Sequence, residues 1–173
     1  MDVVKTLHVV GYKNSGKTTL VSRWVRLLKE NNLSVAVLKH HGHGGKPDLG
    51  ESSTDTSQFL VNGADTTLVA GGGAVQFIWN EEPEFARLKE MASIGNPDVL
   101  LIEGYKGETG DKVVLLRNLE DWDTLCQLGG RLLVIGCPEI ETNCCHIHSR
   151  EEEERIDEWF LHWIGKGDGD ETI

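Results

Sequence analysis

The sequence predicts an α/β protein of three layers, with helices on both faces of a mainly parallel central sheet. Three observations carry that expectation. Apolar runs of strand length alternate with segments of helical periodicity along most of the 173 residues. Residues 11–18 read Gly-Tyr-Lys-Asn-Ser-Gly-Lys-Thr and match the pattern G-x-x-x-x-G-K-[ST] in full, after an apolar run and before a helical one. Further on, the apolar run Val99 to Ile102 ends in the carboxylate of Glu103. Together these are the parts of a P-loop nucleoside triphosphatase (NTPase) fold.

Leu7, His8, Val9 and Val10 read as a buried strand entering the loop. From Thr19 a helix follows, with Leu20, Trp24, Leu27 and Leu28 at helical spacing. Leu33 to Lys39 is a second strand. His40 to Asp48 is polar and Gly-rich, unsuited to regular structure. A short helix is expected from Thr54 to Asn62, stopped near Gly63. Thr66 to Ala70 and Ala74 to Trp79 form a hairpin about three consecutive glycines. Pro83 opens a helix to about Ser93, and Asn96-Pro97 breaks it ahead of the strand ending at Glu103. Val113 to Leu116 and Leu132 to Ile135 are further strands, with a helix from Glu120 to Leu128 between them. The last helix, Glu151 to Ile164, sets Ile156, Trp159, Phe160, Trp163 and Ile164 on one stripe, as packing requires. Its acidic opening, Glu151 to Glu154, suits the positive end of a helix dipole. No repeat or long linker divides the chain, so residues 1–164 are expected to form one nucleotide-binding domain, with 165–173 a flexible tail.

Composition narrows the function. A hydrophobic fraction of 39% and a charged fraction of 26% are those of a soluble globular protein. A formal net charge of −11 argues against sequence-independent nucleic-acid binding, which needs Lys and Arg to neutralise phosphates. There is no signal-like apolar segment and no stretch of membrane-spanning length, so a cytoplasmic location is expected. Of the cysteines, Cys137, Cys144 and Cys145 lie close to His146 and His148. Their spacing is not that of two separated zinc-ligand pairs, and a small strand with partly buried thiols is the simpler reading.

The octapeptide needs its residue types for a physical reason. Backbone N–H groups of the loop and the helix N-terminus form an anion site, and glycines let the chain approach a phosphate where a Cβ would collide. Lys17 is expected at the β- and γ-phosphates and the Thr18 hydroxyl on Mg²⁺. Glu103, ending a strand, is expected across from the loop, holding the metal directly or through water. Lys39, His40, His41 and His43 could meet phosphate or metal, and Asp48 or Asp55 could orient a water.

Gly11 to Thr19, Val37-Leu-Lys39-His40 with its His/Gly loop, Asp55-Thr56, Gly63-Ala64 and Leu101-Ile102-Glu103-Gly104-Tyr105-Lys106 together resemble the molybdopterin-guanine dinucleotide biosynthesis protein B (MobB) family. The resemblance runs through roughly the first two thirds of the chain. It departs at Glu51-Ser-Ser-Thr54, where the family pattern has a lysine before the acidic residue. It implies a small homodimeric GTP-binding protein with weak GTPase activity. Such a protein assists the molybdenum cofactor guanylyltransferase in joining GMP to molybdopterin. On that resemblance Gly11, Asn14, Ser15, Gly16, Lys17, Thr18 and Thr19 hold the triphosphate, and Thr18 and Glu103 hold Mg²⁺. Asp55 lies near the metal or γ-phosphate, and Lys39 and His40 border the nucleotide or the pterin. Lys17, Asp55 and Glu103 are then the residues of hydrolysis. Guanine is implied by the resemblance alone, since no Asn-Lys-x-Asp run occurs.

Two other readings fit the P-loop. A metallochaperone GTPase would use His40, His41, His43 or the Cys144–His148 cluster as ligands. A small-molecule kinase would need a lid rich in arginine, whereas Arg117, Arg131, Arg150 and Arg155 are scattered. No arginine is placed by sequence to stabilise a transferring phosphoryl group, so turnover is expected to be slow. A kcat well above about 1 s⁻¹ without a partner would count against an adapter.

Overall fold

The computed structural model describes residues 4–42, 55–136 and 148–165. The chain divides into two compact units, Met1–His40 with Glu90–Ile173, and His41–Lys89.

The larger unit is built on six strands: β1 (Lys5–Gly11), β2 (Val35–Lys39), β5 (Val99–Glu103), β6 (Asp111–Leu115), β7 (Arg131–Gly136) and β8 (His148–Ser149). They lie in the order β2-β5-β1-β6-β7-β8, and every neighbouring pair is parallel. The expected mainly parallel sheet is therefore wholly parallel in this unit. Its central strands are apolar on both faces: all five residues of β5 are buried, as are four of five in β6. Such continuous apolar runs belong to strands covered by helices on either side.

The two faces sort by alternation along the strands. One carries Leu7, Val9, Leu101, Val113, Leu115 and Ile135. Helix α1 (Lys17–Glu30) packs there through Leu20, Val21, Trp24 and Leu28, and α5 (Glu153–Gly165) through Ile156 and Phe160. Trp24 stacks on Phe160 with centroids 4.1 Å apart, and its Nε1 donates to Asp157 Oδ1 at 3.0 Å. The aromatic stripe of the last helix is core, as its spacing implies. The other face carries Val10, Val114, Leu116 and Val134 under Trp122 and Leu125 of α4 (Leu119–Leu125). Three layers result.

Several boundaries differ from the sequence expectation, each for a local reason. Helix α1 begins at Lys17, two residues early, because Gly16 in a left-handed conformation turns the loop directly into it. β2 starts at Val35 rather than Leu33. The Leu33 amide closes on Leu28 O, and Ser34 is held by Asp98 through its amide at 2.7 Å and its hydroxyl at 2.6 Å. α4 stops at Leu125, after which Leu128 N closes a tighter turn on Leu125 O. α5 starts at Glu153: Glu152 sits ahead of it, its Oε2 accepting from Ser149 N at 2.8 Å. Of the run Glu151–Glu154, Glu153 and Glu154 stand in the first turn.

The smaller unit contains α2 (Asp55–Val61) and the antiparallel hairpin β3 (Thr66–Gly71) and β4 (Ala74–Trp79). The pairing runs from Thr66↔Trp79 to Gly71↔Ala74. Gly72 and Gly73 make the two-residue turn at φ of 57° and 81°, which favours glycine at both positions. Helix α3 (Phe85–Ala92) runs through the boundary at Lys89. It starts two residues after Pro83, later than expected.

Candidate functional site

In a parallel sheet, ligands bind beyond the carboxyl ends of the strands, where successive crossovers part in opposite directions. Here that place is β1 beside β5. From β1 the chain travels to β2 at one edge, and from β5 it passes over β1 to β6. The register aligns Val9 with Glu103 and Lys39 with Glu103, so the ends of three strands meet.

The loop leaving β1 is shaped for a tight approach. A Cβ on Gly11 would lie 2.5 Å from Ser15 Oγ and 2.6 Å from the Leu115 carbonyl. Only glycine fits there. Asn14 holds φ at 62°, a left-handed conformation that asparagine tolerates. Gly16, at φ 88°, is the N-cap of α1 and gives no side-chain cap, and no carboxylate stands in the helix's first turn. The first amides of a fourteen-residue helix are thus left for an external acceptor. Ser15 is fully buried and its hydroxyl has no hydrogen-bond partner among the described residues.

Around this loop the charges are arranged for an anion. Lys17 Nζ donates to the Tyr12 carbonyl at 2.7 Å. Burial lowers the Lys17 pKa, Glu103 raises it, and Lys39, Arg117 and Lys106 lower it further. The negative charge of a phosphate there would offset both the desolvation and the repulsion. Thr18 donates its hydroxyl to Glu103, with Oε1 at 2.9 Å and Oε2 at 3.0 Å. Glu103 is buried, and Lys39 Nζ lies 3.2 Å from its Oε1. A buried carboxylate meeting a hydroxyl beside a helix N-terminus is a hard oxygen donor set, suited to Mg²⁺.

The chain beyond β5 fits closely as well. His40 N donates to Glu103 O, Gly104 N to Val9 O, and the His40 ring lies 4.8 Å from that of Tyr105. A Cβ on Gly104, at φ 98°, would come within 3.0 Å of His40 Cβ. Thr19 is exposed in the first turn of α1. The folded chain thus brings together Gly11, Asn14, Ser15, Gly16, Lys17, Thr18, Thr19, Lys39, His40 and Glu103. Asp55 begins α2 in the other unit, and its side chain lies outside the described residues, as do His43, Asp48, Cys137, Cys144, Cys145 and His146. Among the described residues no three His, Cys, Asp or Glu side chains converge. His148 Nδ1 faces Glu152 at 3.8 Å.

Two arginines that look scattered in the sequence both reach the loop. Arg117 donates to Lys13 O at 3.4 Å and stands over the Tyr12 ring at 5.1 Å, while Lys106 Nζ lies 4.6 Å from the same ring. Arg117 is gripped in two-pronged fashion by buried Asp121, at 2.9 and 2.7 Å. That bond holds the Asp121 carboxyl below its ordinary pKa. Asn118 Oδ1 accepts from Asp121 N and caps α4. The side chains of Asn118 and Asp121 are therefore both engaged within the protein. Arg150 donates to Leu116 O at 2.6 Å, and its Nη1 is 3.1 Å from where a Gly16 Cβ would be.

The chain is similar to known proteins over most of its length. The family model described as molybdopterin guanine dinucleotide synthesis protein B matches residues 6–134. The probable molybdopterin-guanine dinucleotide biosynthesis adapter protein of Bacillus subtilis is 40% identical over 119 residues, 69% of each chain. The adapter protein of Escherichia coli is 26% identical over 124 residues, 67% of each chain. The crystal structure of Bacillus subtilis MobB superposes with a TM-score of 0.82 at 32% identity, covering 95% of this chain and 99% of that one.

Proposed function

Because the chain belongs to the family of molybdopterin guanine dinucleotide synthesis protein B, we propose that it is a GTP-binding adapter in molybdenum cofactor biosynthesis. In this reading it assists the guanylyltransferase that converts molybdopterin to its guanine dinucleotide. The observation that carries nucleotide binding is the loop itself. Its close-packed Gly11, buried unpartnered Ser15 hydroxyl and uncapped α1 N-terminus surround the base of Lys17.

Gly11, Asn14, Ser15, Gly16, Lys17, Thr18 and Thr19 would hold the triphosphate, with Lys39 and His40 at its border. Thr18 and Glu103 would hold Mg²⁺, which when bound neutralises charge on the β- and γ-oxygens. Lys17 would bring its poorly solvated ammonium to the same phosphates, and Asp55 would orient water. Hydrolysis is expected to be slow. Arg117 is held by Asp121 and Arg150 by the Leu116 carbonyl, so both steady the loop.

The chain is also proposed to act as a homodimer, with the hairpin as its contact. Support comes from Leu68, Val75 and Phe77, which are 66%, 64% and 45% exposed. Large apolar side chains in such a patch mark an association surface. No helix among the described residues is long and apolar enough to cross a membrane, and a cytoplasmic adapter is consistent with that.

Calorimetric titration with Mg²⁺·GTP and Mg²⁺·ATP, alongside Lys17→Ala, tests the nucleotide reading. GTP binding in the micromolar range, weakened at least about 100-fold in the variant and clearly tighter than ATP, is expected. Equal or preferential ATP binding would overturn the guanine assignment, and unchanged binding in the variant would overturn the site.

A further inference from the structure

The donor pair assigned to the metal, Thr18 and Glu103, already has a cation against it. Lys39 Nζ lies 3.2 Å from Glu103 Oε1 and 3.2 Å from Thr18 Oγ1, to which it donates. The position follows from topology, since β2 and β5 run in register and Lys39 is directly opposite Glu103. The two partners differ in mobility: the Lys39 side chain is 53% exposed and that of Glu103 only 8%. The carboxylate is fixed, and the ammonium can rotate outward.

An ammonium this close to both oxygens competes with a divalent cation for them. Mg²⁺ requires ligands at about 2.0–2.1 Å in a near-octahedral set. A positive nitrogen touching the same two atoms blocks that shell and repels the ion. Lys17 does not play this part, because its Nζ is turned to the Tyr12 carbonyl.

We propose that Lys39 is a tethered cation that occupies the divalent-metal position of the nucleotide-free protein and yields it when Mg²⁺ arrives with nucleotide. This rests on the nucleotide reading above and deepens it. The lysine is ion-paired with a buried carboxylate that is hydrogen-bonded by the Thr18 hydroxyl, and it makes the site unreceptive to free divalent ions. Only a metal whose binding is reinforced by phosphate displaces it. The displaced ammonium is then released at the rim of the site.

The test uses the full chain with Lys39→Met, and Lys39→Gln as a second variant should the first fold poorly. Mn²⁺ affinity is measured by electron paramagnetic resonance in saturating GDP, which lacks the γ-phosphate that Lys39 could otherwise touch. The variant is expected to bind Mn²⁺ about fivefold more tightly, because the competing state has been removed. Thermal unfolding gives the readout that simple charge removal would not reproduce. The ligand-free variant melts below wild type, whereas the two melt together when saturated with Mn²⁺ and GDP. Unchanged or weaker Mn²⁺ affinity overturns the proposal. So does a loaded variant that melts above wild type with no loss in the free form, the signature of relieved repulsion alone. Wild-type protein that binds neither GDP nor Mn²⁺·GDP overturns the nucleotide reading and this proposal with it.

Discussion

The six-stranded sheet and the β3–β4 hairpin use the same residue types to opposite ends. In β5, Val99, Leu100, Leu101 and Ile102 are all at most 1% exposed. In the hairpin, Leu68, Val69, Val75 and Phe77 are between 44% and 66% exposed. Apolar content alone therefore does not say where the core is. A parallel sheet must be covered on both faces, because its crossover helices return over them. A two-stranded hairpin has no such built-in cover and is marginal by itself. The sheet unit spends its apolar surface internally and keeps its chemistry at one edge. The hairpin unit leaves these apolar side chains exposed.

That contrast can be broken most sharply with one substitution made in each region. Gly11→Ala drives a methyl into the Leu115 carbonyl of a buried strand and is expected to cost about 4 kcal/mol in urea unfolding. Gly72→Ala meets nothing within 4 Å and bears only the left-handed backbone, for about 1 kcal/mol. Comparable losses at the two glycines would show that the hairpin is as closely packed as the sheet.

Next in size is Asp121→Asn, which tests whether the rigidity of the sheet's site edge is partly electrostatic. Chiefly through its bond to Arg117, Asp121 has a lowered pKa. Its contribution is therefore complete above the unfolded carboxylate value of about 3.9 and is lost as pH falls through the lower folded value. At pH 7 the variant is expected to be less stable by about 2 kcal/mol, because the charge-assisted pair with Arg117 is lost. Once the pH lies below that lowered folded value the two proteins should unfold alike. A gap that persists in acid would assign the role of Asp121 to packing.

The smallest effect expected is on nucleotide affinity when the hairpin is altered. Phe77 pairs with Leu68 across the strands, and Phe77→Lys places a charge in the exposed apolar patch. Light scattering should then report half the wild-type mass, while GTP affinity changes by less than about twofold. An unchanged mass would remove the hairpin from the interface.

What could be read in advance follows the range of each interaction. The phosphate loop is written in eight consecutive residues, so its glycines, Lys17 and Thr18 stood out before folding was considered. Glu103 was legible because four apolar residues lead into it. The hairpin was announced by Gly71-Gly72-Gly73. Arg117 and Arg150 were not legible. They reach the loop only because β6 lies beside β1 and β8 lies two strands further on, an order that no periodicity encodes. The early start of α1 was missed because a glycine N-cap carries no side-chain signal, and Leu33 looked like strand although its amide closes the preceding helix.

The packing of α5 on α1 also bears on when the site can exist during synthesis. β1 is made well before its two partners in the sheet, β5 and β6. The helix that carries Lys17 is braced by Phe160 and Asp157, and Gly16 is flanked by Arg150. A nascent chain released only as far as the hairpin therefore holds the octapeptide without the scaffold that gives it shape. On the ribosome, at about 5–20 residues per second, the loop gains this bracing only once α5 has been made. Ribosome-associated fragments ending before that helix would carry the motif but not the pocket.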